Sequence, residues 1–133
     1  IEHLKYITKN EELLLIDCPP GTSCSTVAAI EDSDYCIIAA EPTPFGLSDM
    51  RMVVELLRSQ KLNFRVVVNK SNLGNTDIYH YLDEEGIELL ETIEFREEFA
   101  RIIARGDLLV NQSTYVKEKM FNIIKKVLGD SYA

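Results

Sequence analysis

Three short, nearly uninterrupted runs of apolar residues constrain the fold of this chain more than any other feature. They cover Leu13 to Ile16, Tyr35 to Ala40 and Arg65 to Val68, and a fourth, weaker run covers Ile87 to Ile93. Each run has the length of a strand and lacks the apolar–polar alternation of a half-exposed strand. This pattern is typical of strands that are buried on both faces of a parallel sheet. We therefore expect the first three runs to form adjacent, parallel, buried strands.

Segments with the apolar spacing of helices separate these runs. Pro44 stands at a natural first helical position, directly after Thr43, which can cap the helix. Further helices are expected over Asn75 to Glu85, Glu97 to Arg105 and Thr114 to Leu128. The predicted order is β-α-β-α-β-α-β-α-α. Strands that alternate with helices predict an α/β fold with a doubly wound, mainly parallel sheet and helices on both faces.

Length and composition restrict the class of protein. A chain of 133 residues can bury roughly two-thirds of its unfolded surface, so we expect a single domain over residues 1–133. The net charge of −8 argues against a nucleic-acid partner. No apolar run approaches the roughly 18 to 20 residues that a membrane span requires, so we expect no stable membrane insertion. Because the first residue is Ile, we expect the chain to be part of a longer protein.

The cysteines indicate a reducing compartment. The three cysteines are an odd number, and their spacing matches neither a zinc site nor a disulfide framework. We therefore expect a cytoplasmic protein.

The residues after the first run are the first candidate site, because ligands of such sheets bind at the carboxyl ends of the strands. The stretch Asp17 to Thr22 reads DCPPGT. A carboxylate at the end of a buried strand is costly to desolvate unless it meets a cation or several donors, and Gly21 offers an amide to a terminal phosphate. A magnesium–phosphate site is one interpretation. An Asp-Pro turn with a helix cap is the other, and the residues alone favour neither.

The residues after the third run are the second candidate site. Asn69 and Lys70 come directly after this run. An amide side chain can face both a donor and an acceptor on a purine edge, and a lysine stem can flank the ring. A guanine site would need a carboxylate three residues after Asn69, and that position holds Asn72. The pattern therefore favours adenine.

The stretches LLLIDCPPGT, YCIIAAEPTPFGLSD and VVVNKSN resemble, in order and spacing, the carboxyl-terminal half of the MinD/ParA/Mrp class of P-loop ATPases. They are most similar to MinD-like ATPases that carry an inserted ferredoxin domain. The resemblance implies that Asp17 is the Walker B aspartate, which holds Mg²⁺ through water. It also implies that Gly21 and Thr22 belong to switch II and sense the γ-phosphate of ATP.

The resemblance assigns the base end of the nucleotide site as well. The E-P-T loop of the family corresponds to Glu41, Pro42 and Thr43, and the asparagine that contacts the base corresponds to Asn69, followed by Lys70. Proteins of this class bind Mg-ATP in a head-to-head dimer. The resemblance therefore implies a homodimer whose nucleotide state controls a protein partner, which the sequence leaves unknown.

The chain departs from the family in two places. The Walker A motif K-G-G-x-G-K-[ST], which holds the phosphates, is absent from these residues. We therefore expect the chain alone not to hydrolyse ATP. The family usually has an I-P-Y-D-like turn along the base pocket, where this chain reads IEFR over Ile93 to Arg96.

Cys24 leaves two interpretations open. A relative, the nitrogenase iron protein, uses a cysteine in the equivalent stretch to bind an iron–sulfur cluster that two subunits share, so Cys24 is a candidate ligand. The alternative, which we favour, is a small buried or half-buried thiol.

Three functions remain as hypotheses. The first is nucleotide binding and hydrolysis as part of a MinD-like switch ATPase, with an iron–sulfur link as an optional feature. The second is an amidoligase of the cobyrinic acid a,c-diamide synthase type, which uses ATP to activate a carboxylate. The third is a non-catalytic fragment or interaction module.

Overall fold

The computed structural model describes residues 13–129. These contain six helices and three strands, arranged so that strands and helices alternate before two final helices. The elements, in chain order, are α1 (Cys24–Ile30), β1 (Cys36–Ala40), α2 (Pro44–Ser59), β2 (Phe64–Asn69), α3 (Asp77–Glu84), β3 (Leu89–Ile93), α4 (Glu97–Ala104), α5 (Leu109–Gln112) and α6 (Thr114–Leu128).

The three strands form one parallel sheet in the order β1-β2-β3. Val67 pairs with Glu91, and Asn69 pairs with Ile93 at the carboxyl end of the sheet. This confirms the predicted α/β class and the parallel direction of the strands. It also confirms the weak strand near Ile87 to Ile93, which begins two residues later than its apolar run.

The predicted strand Leu13–Ile16 is wrong. These residues have no regular secondary structure, and the side chain of Leu15 is 85% exposed. A strand exists only where its backbone groups pair with a neighbouring strand. Within residues 13–129, β1, β2 and β3 are the only members of the sheet, so this apolar segment has no strand to pair with there.

β1 also differs from the prediction of burial on both faces. Ile38 and Ala40 are buried, whereas Ile37 and Ala39 are exposed. In β2, by contrast, Val66, Val67 and Val68 are all buried. Side chains alternate between the two faces of a strand, so one face of β1 is left open while both faces of the central strand β2 are covered.

The described residues divide into two compact units, which we treat separately. One comprises residues 13–36 and 48–64, and contains α1 and most of α2. The other comprises residues 37–47 and 65–129, and contains most of the sheet and helices α3 to α6. All of the strand-end residues after β1, β2 and β3 belong to this second unit.

α6 packs on β3 and supplies part of the core of the second unit. Ile123 is buried against Val67 and Leu90. Beside this apolar contact, Lys119 Nζ lies 2.8 Å from Glu91 Oε1, and Asn122 Nδ2 donates to Glu91 Oε2 at 3.1 Å. Burial disfavours the charged carboxylate, but the hydrogen bonds from Lys119, the Thr92 amide and Asn122 outweigh it and lower the pKa of Glu91 to about 2. The ion pair therefore stays charged at neutral pH.

The helices begin and end where local signals place them. Thr43 Oγ1 accepts a hydrogen bond from the Gly46 amide at 3.0 Å, which confirms the cap of α2. Ser113 Oγ accepts one from the Val116 amide and caps α6. α6 has the predicted bounds, whereas α3 is shorter by two residues at its start and one at its end. No helix in residues 13–129 has the length and apolar character that crossing a membrane requires.

Candidate functional site

The carboxyl ends of β1 and β2 are joined by an ion pair. Lys70 Nζ lies 2.6 Å from Glu41 Oε1, and both side chains are less than half exposed. An ion pair at such exposure contributes little to the free energy of unfolding. The ion pair does connect the loops after the two strands. These loops are where the sequence analysis places the base of a nucleotide.

Pro42, the residue after Glu41, also connects the same two loops. Its side chain is fully buried, and its carbonyl oxygen accepts a hydrogen bond from the Asn75 amide at 2.9 Å. Gly74 lies so close to Pro42 that a Cβ atom would overlap the carbonyl oxygen. Gly46 lies equally close to the Glu41 carbonyl. The contacts leave no room for side chains, so these loops have little freedom to rearrange.

Asn69 is exposed at the end of β2, where it is the last residue of the strand. Its Oδ1 atom accepts a hydrogen bond from the Lys70 amide at 3.0 Å, which orients the side-chain amide. Lys70 has a φ of 51°, a left-handed conformation that is unusual for a residue with a side chain. Such strain is concentrated at functional sites in proteins.

Asn72 has a structural role that the sequence did not reveal. Its Nδ2 atom donates to the Phe95 carbonyl at 3.0 Å, and its Oδ1 atom accepts from the Phe95 amide at 2.7 Å. The side-chain amide of Asn72 therefore forms hydrogen bonds with both the carbonyl and the amide of Phe95. The Ser71 amide donates to the Ile93 carbonyl and extends the β2–β3 pairing. The loops after β2 and β3 thus lie side by side.

The predicted phosphate-side residues lie in the first unit. Asp17 and Thr22 are exposed, and Gly21 has a φ of 84° with no atom near the position that a Cβ would take. The backbone at Gly21 is therefore open to an approaching ligand. The roles of Asp17, Gly21 and Thr22 in binding Mg²⁺ and phosphate stay predictions.

The cysteines also belong to the first unit. Cys18 and Cys24 are exposed, and Cys24 is the first residue of α1. Burial, with a smaller contribution from Cys18, raises the pKa of the Cys36 thiol. In residues 13–129, no three or more histidine, cysteine, aspartate or glutamate side chains are grouped to hold a metal ion. The favoured interpretation of Cys24 as a buried or half-buried thiol is therefore wrong, because its position at the start of α1 leaves it exposed. A role for Cys24 in an iron–sulfur cluster stays a prediction.

Comparison with solved structures identifies the architecture. A chain of the MinC:MinD cell division protein complex of Aquifex aeolicus matches 97% of this chain with a TM-score of 0.75 and 21% identity. The MinD cell division protein of the same organism matches 97% with a TM-score of 0.73 and 23% identity. The fold is MinD-like. The chain covers 56% and 58% of these two structures, so it corresponds to little more than half of the MinD-like fold.

Three proteins of Methanocaldococcus jannaschii are similar in sequence. Two uncharacterized proteins share 32% identity over 78 residues and 27% identity over 129 residues, or 58% and 96% of this chain. An uncharacterized ATP-binding protein shares 28% identity over 93 residues, or 69% of the chain. The chain spans 29%, 44% and 33% of the lengths of these relatives, respectively. No family model matches the chain.

The MinD-like fold confirms the fold expected from the three sequence stretches, but several residues of the site were not predicted. Gly74 had a visible signal, since a glycine in the polar stretch SNLGN is typical of a turn. The hydrogen bonds between Asn72 and Phe95 had no visible signal in the sequence, because the two residues are 23 positions apart.

Proposed function

We propose that this chain forms the base-binding part of a MinD-like ATPase and binds the adenine of ATP at Asn69. One observation carries the proposal. The ends of two adjacent parallel strands are held together through Lys70 and Glu41, with Asn69 exposed beside them, in a chain with a MinD-like fold. Ligands of such sheets bind outside the carboxyl ends of the strands.

The chemistry of Asn69 suits adenine. An asparagine amide can donate to a ring nitrogen of adenine and accept from its exocyclic amino group. Oδ1 of Asn69 already accepts from the Lys70 amide, but a carbonyl oxygen has a second lone pair. The amide is therefore oriented in advance, which lowers the entropy lost when a base binds. A relative of the chain is named as an ATP-binding protein, which supports the choice of ATP.

Asp17, Gly21 and Thr22 are the residues that the resemblance assigns to Mg²⁺ and the phosphates. We propose that Asp17 holds Mg²⁺ through water and that Gly21 and Thr22 face the γ-phosphate. Mg²⁺ typically takes one or two carboxylates and keeps several waters, so a single exposed aspartate fits it. When bound, the ion would neutralise the charge of the phosphates. The chain lacks a Walker A motif, so we propose that the phosphate cradle is encoded in residues outside this chain.

We further propose that the complete protein acts as a homodimer and controls a protein partner. The solved complex of MinD with MinC supports a protein partner for a chain with this fold. Light scattering of the complete protein with Mg-ATP tests the dimer, which we expect at micromolar concentrations. A monomeric mass throughout that range would refute it.

Binding of ATP to the complete protein tests the central proposal. Asn69→Ala should weaken ATP binding by roughly tenfold or more, because it removes a two-point contact with the base. Asn111→Ala is the control, since Asn111 is exposed on α5 and distant in sequence from the strand ends. The proposal fails if Asn69→Ala binds ATP as tightly as the control, or if the unmodified protein binds GTP better than ATP.

A further inference from the structure

Residues 93–96, at the end of β3 and after it, are hydrogen-bonded to the loop that follows Asn69. Phe95 exchanges two hydrogen bonds with the side chain of Asn72, and Ile93 accepts one from the Ser71 amide. Asn72 lies three residues after Asn69 on the same loop. These hydrogen bonds connect residues 93–96 to the loop that begins at Asn69.

The same segment also contacts α6. The Glu94 amide donates to the hydroxyl of Tyr115 at 2.9 Å. The guanidinium of Arg96 lies 4.0 Å from the centre of the Tyr115 ring, and the Phe99 ring stacks on Tyr115 with a centroid distance of 6.3 Å. Tyr115 thus holds the residues on both sides of Phe95, one by a hydrogen bond and one by a cation–π contact.

The part of α6 that carries Tyr115 is anchored to β3 by several contacts. It lies one turn before Lys119, which is paired with Glu91 of β3, and one residue before the buried Val116. Lys126 Nζ donates to the Leu90 carbonyl further along the same helix. Ser113 caps the helix two residues before Tyr115. Contacts that do not involve residues 93–96 therefore fix the helix that carries Tyr115, and its hydrogen bond to Glu94 restrains that segment.

We propose that Tyr115 is a positioning residue for the base site and that it couples α6 to the binding of nucleotide. This inference rests on the proposed function of Asn69. Tyr115 acts through Glu94 and Phe95 on Asn72, and through Asn72 on the loop that orients Asn69. Because coupling between a site and a distant element is reciprocal, a base bound at Asn69 also stabilises the contact between residues 94–96 and α6.

The variant Tyr115→Phe tests this inference in the complete protein. It removes the hydroxyl and keeps the ring on which Arg96 and Phe99 pack. The loss of one hydrogen bond should weaken ATP binding about three- to tenfold. Binding of inorganic tripolyphosphate, which has no base, should stay within about twofold of the unmodified protein. Tyr79→Phe makes the same chemical change on α3 and should alter neither affinity.

A second measurement follows the contact directly. The Glu94 amide donates to the Tyr115 hydroxyl, so the rate of its hydrogen exchange reports on this contact. We expect this amide to exchange more slowly when ATP is added to the unmodified protein, and faster in Tyr115→Phe.

The outcomes separate this inference from the function on which it rests. If the unmodified protein binds ATP but Tyr115→Phe binds it equally well, the inference is wrong and the proposed function stands. Equal weakening of ATP and tripolyphosphate would also overturn it, because that result indicates a general loss of structure. If the unmodified protein binds ATP no better than tripolyphosphate, the base site itself is wrong, and the inference falls with it.

Discussion

At the scale of single residues, Gly74 determines how closely the loops after β1 and β2 approach. It has a φ of 89° and lies against the Pro42 carbonyl, which also accepts the Asn75 amide. A side chain at this position would have to displace the backbone of Pro42. The strand-end site therefore depends on a residue that has no functional group of its own.

Gly74→Ala should lower the free energy of unfolding by more than about 2 kcal/mol, because it combines left-handed backbone strain with overlap on Pro42. The matched control is Gly86→Ala. Gly86 also has a positive φ, of 64°, but a Cβ there would meet nothing within 4 Å. Its cost should be strain alone, about 1 kcal/mol. Equal losses in denaturant titrations of the two variants would show that the contact with Pro42 is unimportant.

Glu91 makes the stability of the molecule depend on pH. Its pKa is about 2, against an ordinary value of 4.5, so its ion pair with Lys119 stabilises the folded state fully above about pH 4.5. This contribution is lost as the pH falls from 4.5 towards 2. Glu91→Gln should therefore lower the free energy of unfolding by about 2 to 3 kcal/mol at pH 7, and by progressively less below pH 4.5.

Denaturant titrations at pH 7, 4 and 3 measure this difference. Glu97→Gln is the control, because the Glu97 side chain is 89% exposed and 4.0 Å from Arg101. Its effect should stay below about 0.5 kcal/mol at every pH. A difference between Glu91→Gln and the unmodified chain that does not shrink in acid would contradict the assigned pKa.

At the scale of elements, α2 begins at a cap that also belongs to the strand-end loop. Thr43→Ala removes the acceptor for the Gly46 amide and should cost about 1 kcal/mol of stability. Thr43→Ser keeps an oxygen at the same position and should recover most of that loss. Thermal unfolding of the two variants checks the cap. If the two variants unfold at the same temperature, the hydroxyl of Thr43 does not cap α2.

The elements also show what a sequence can and cannot reveal. The bounds of α6 follow from local signals, since Ser113 caps it, apolar residues recur along it and Gly129 ends it. Leu13–Ile16 has an equally strong apolar pattern and is no strand. The difference is that a helix satisfies its backbone groups internally, whereas a strand needs a second segment, about which a local pattern contains no information.

The strand-end site was predictable in part, because some of its residues are marked by local patterns. Asn69, Lys70 and Glu41 follow apolar runs directly, and parallel strands bring their carboxyl ends to one edge. The contacts of Tyr115 and Asn72 with residues 94 and 95 join segments that are 21 and 23 positions apart. The Tyr115 contact depends on the packing of α6 on β3, and the Asn72 contact depends on the pairing of β2 with β3. The sequence pattern specifies neither.

At the scale of the whole molecule, the chain contains only part of the nucleotide site that we propose. Phosphoryl transfer requires a cradle of backbone amides and a lysine around the phosphates, and the Walker A motif that forms it is absent from the 133 residues. We therefore expect no release of phosphate from ATP by the purified chain. Magnesium-dependent turnover that is abolished by Asp17→Asn would contradict this expectation.

The most direct test of the central claim is to locate the base of ATP. Photo-cross-linking of the complete protein with 8-azido-ATP, followed by mass spectrometry of the labelled peptides, reports which residues lie beside the adenine. We predict that the label falls in residues 41–46, 69–75 or 93–96, that excess ATP prevents it, and that Asn69→Ala reduces it. Label confined to other segments, or label that ATP does not displace, would contradict the assignment of these strand ends as the base site.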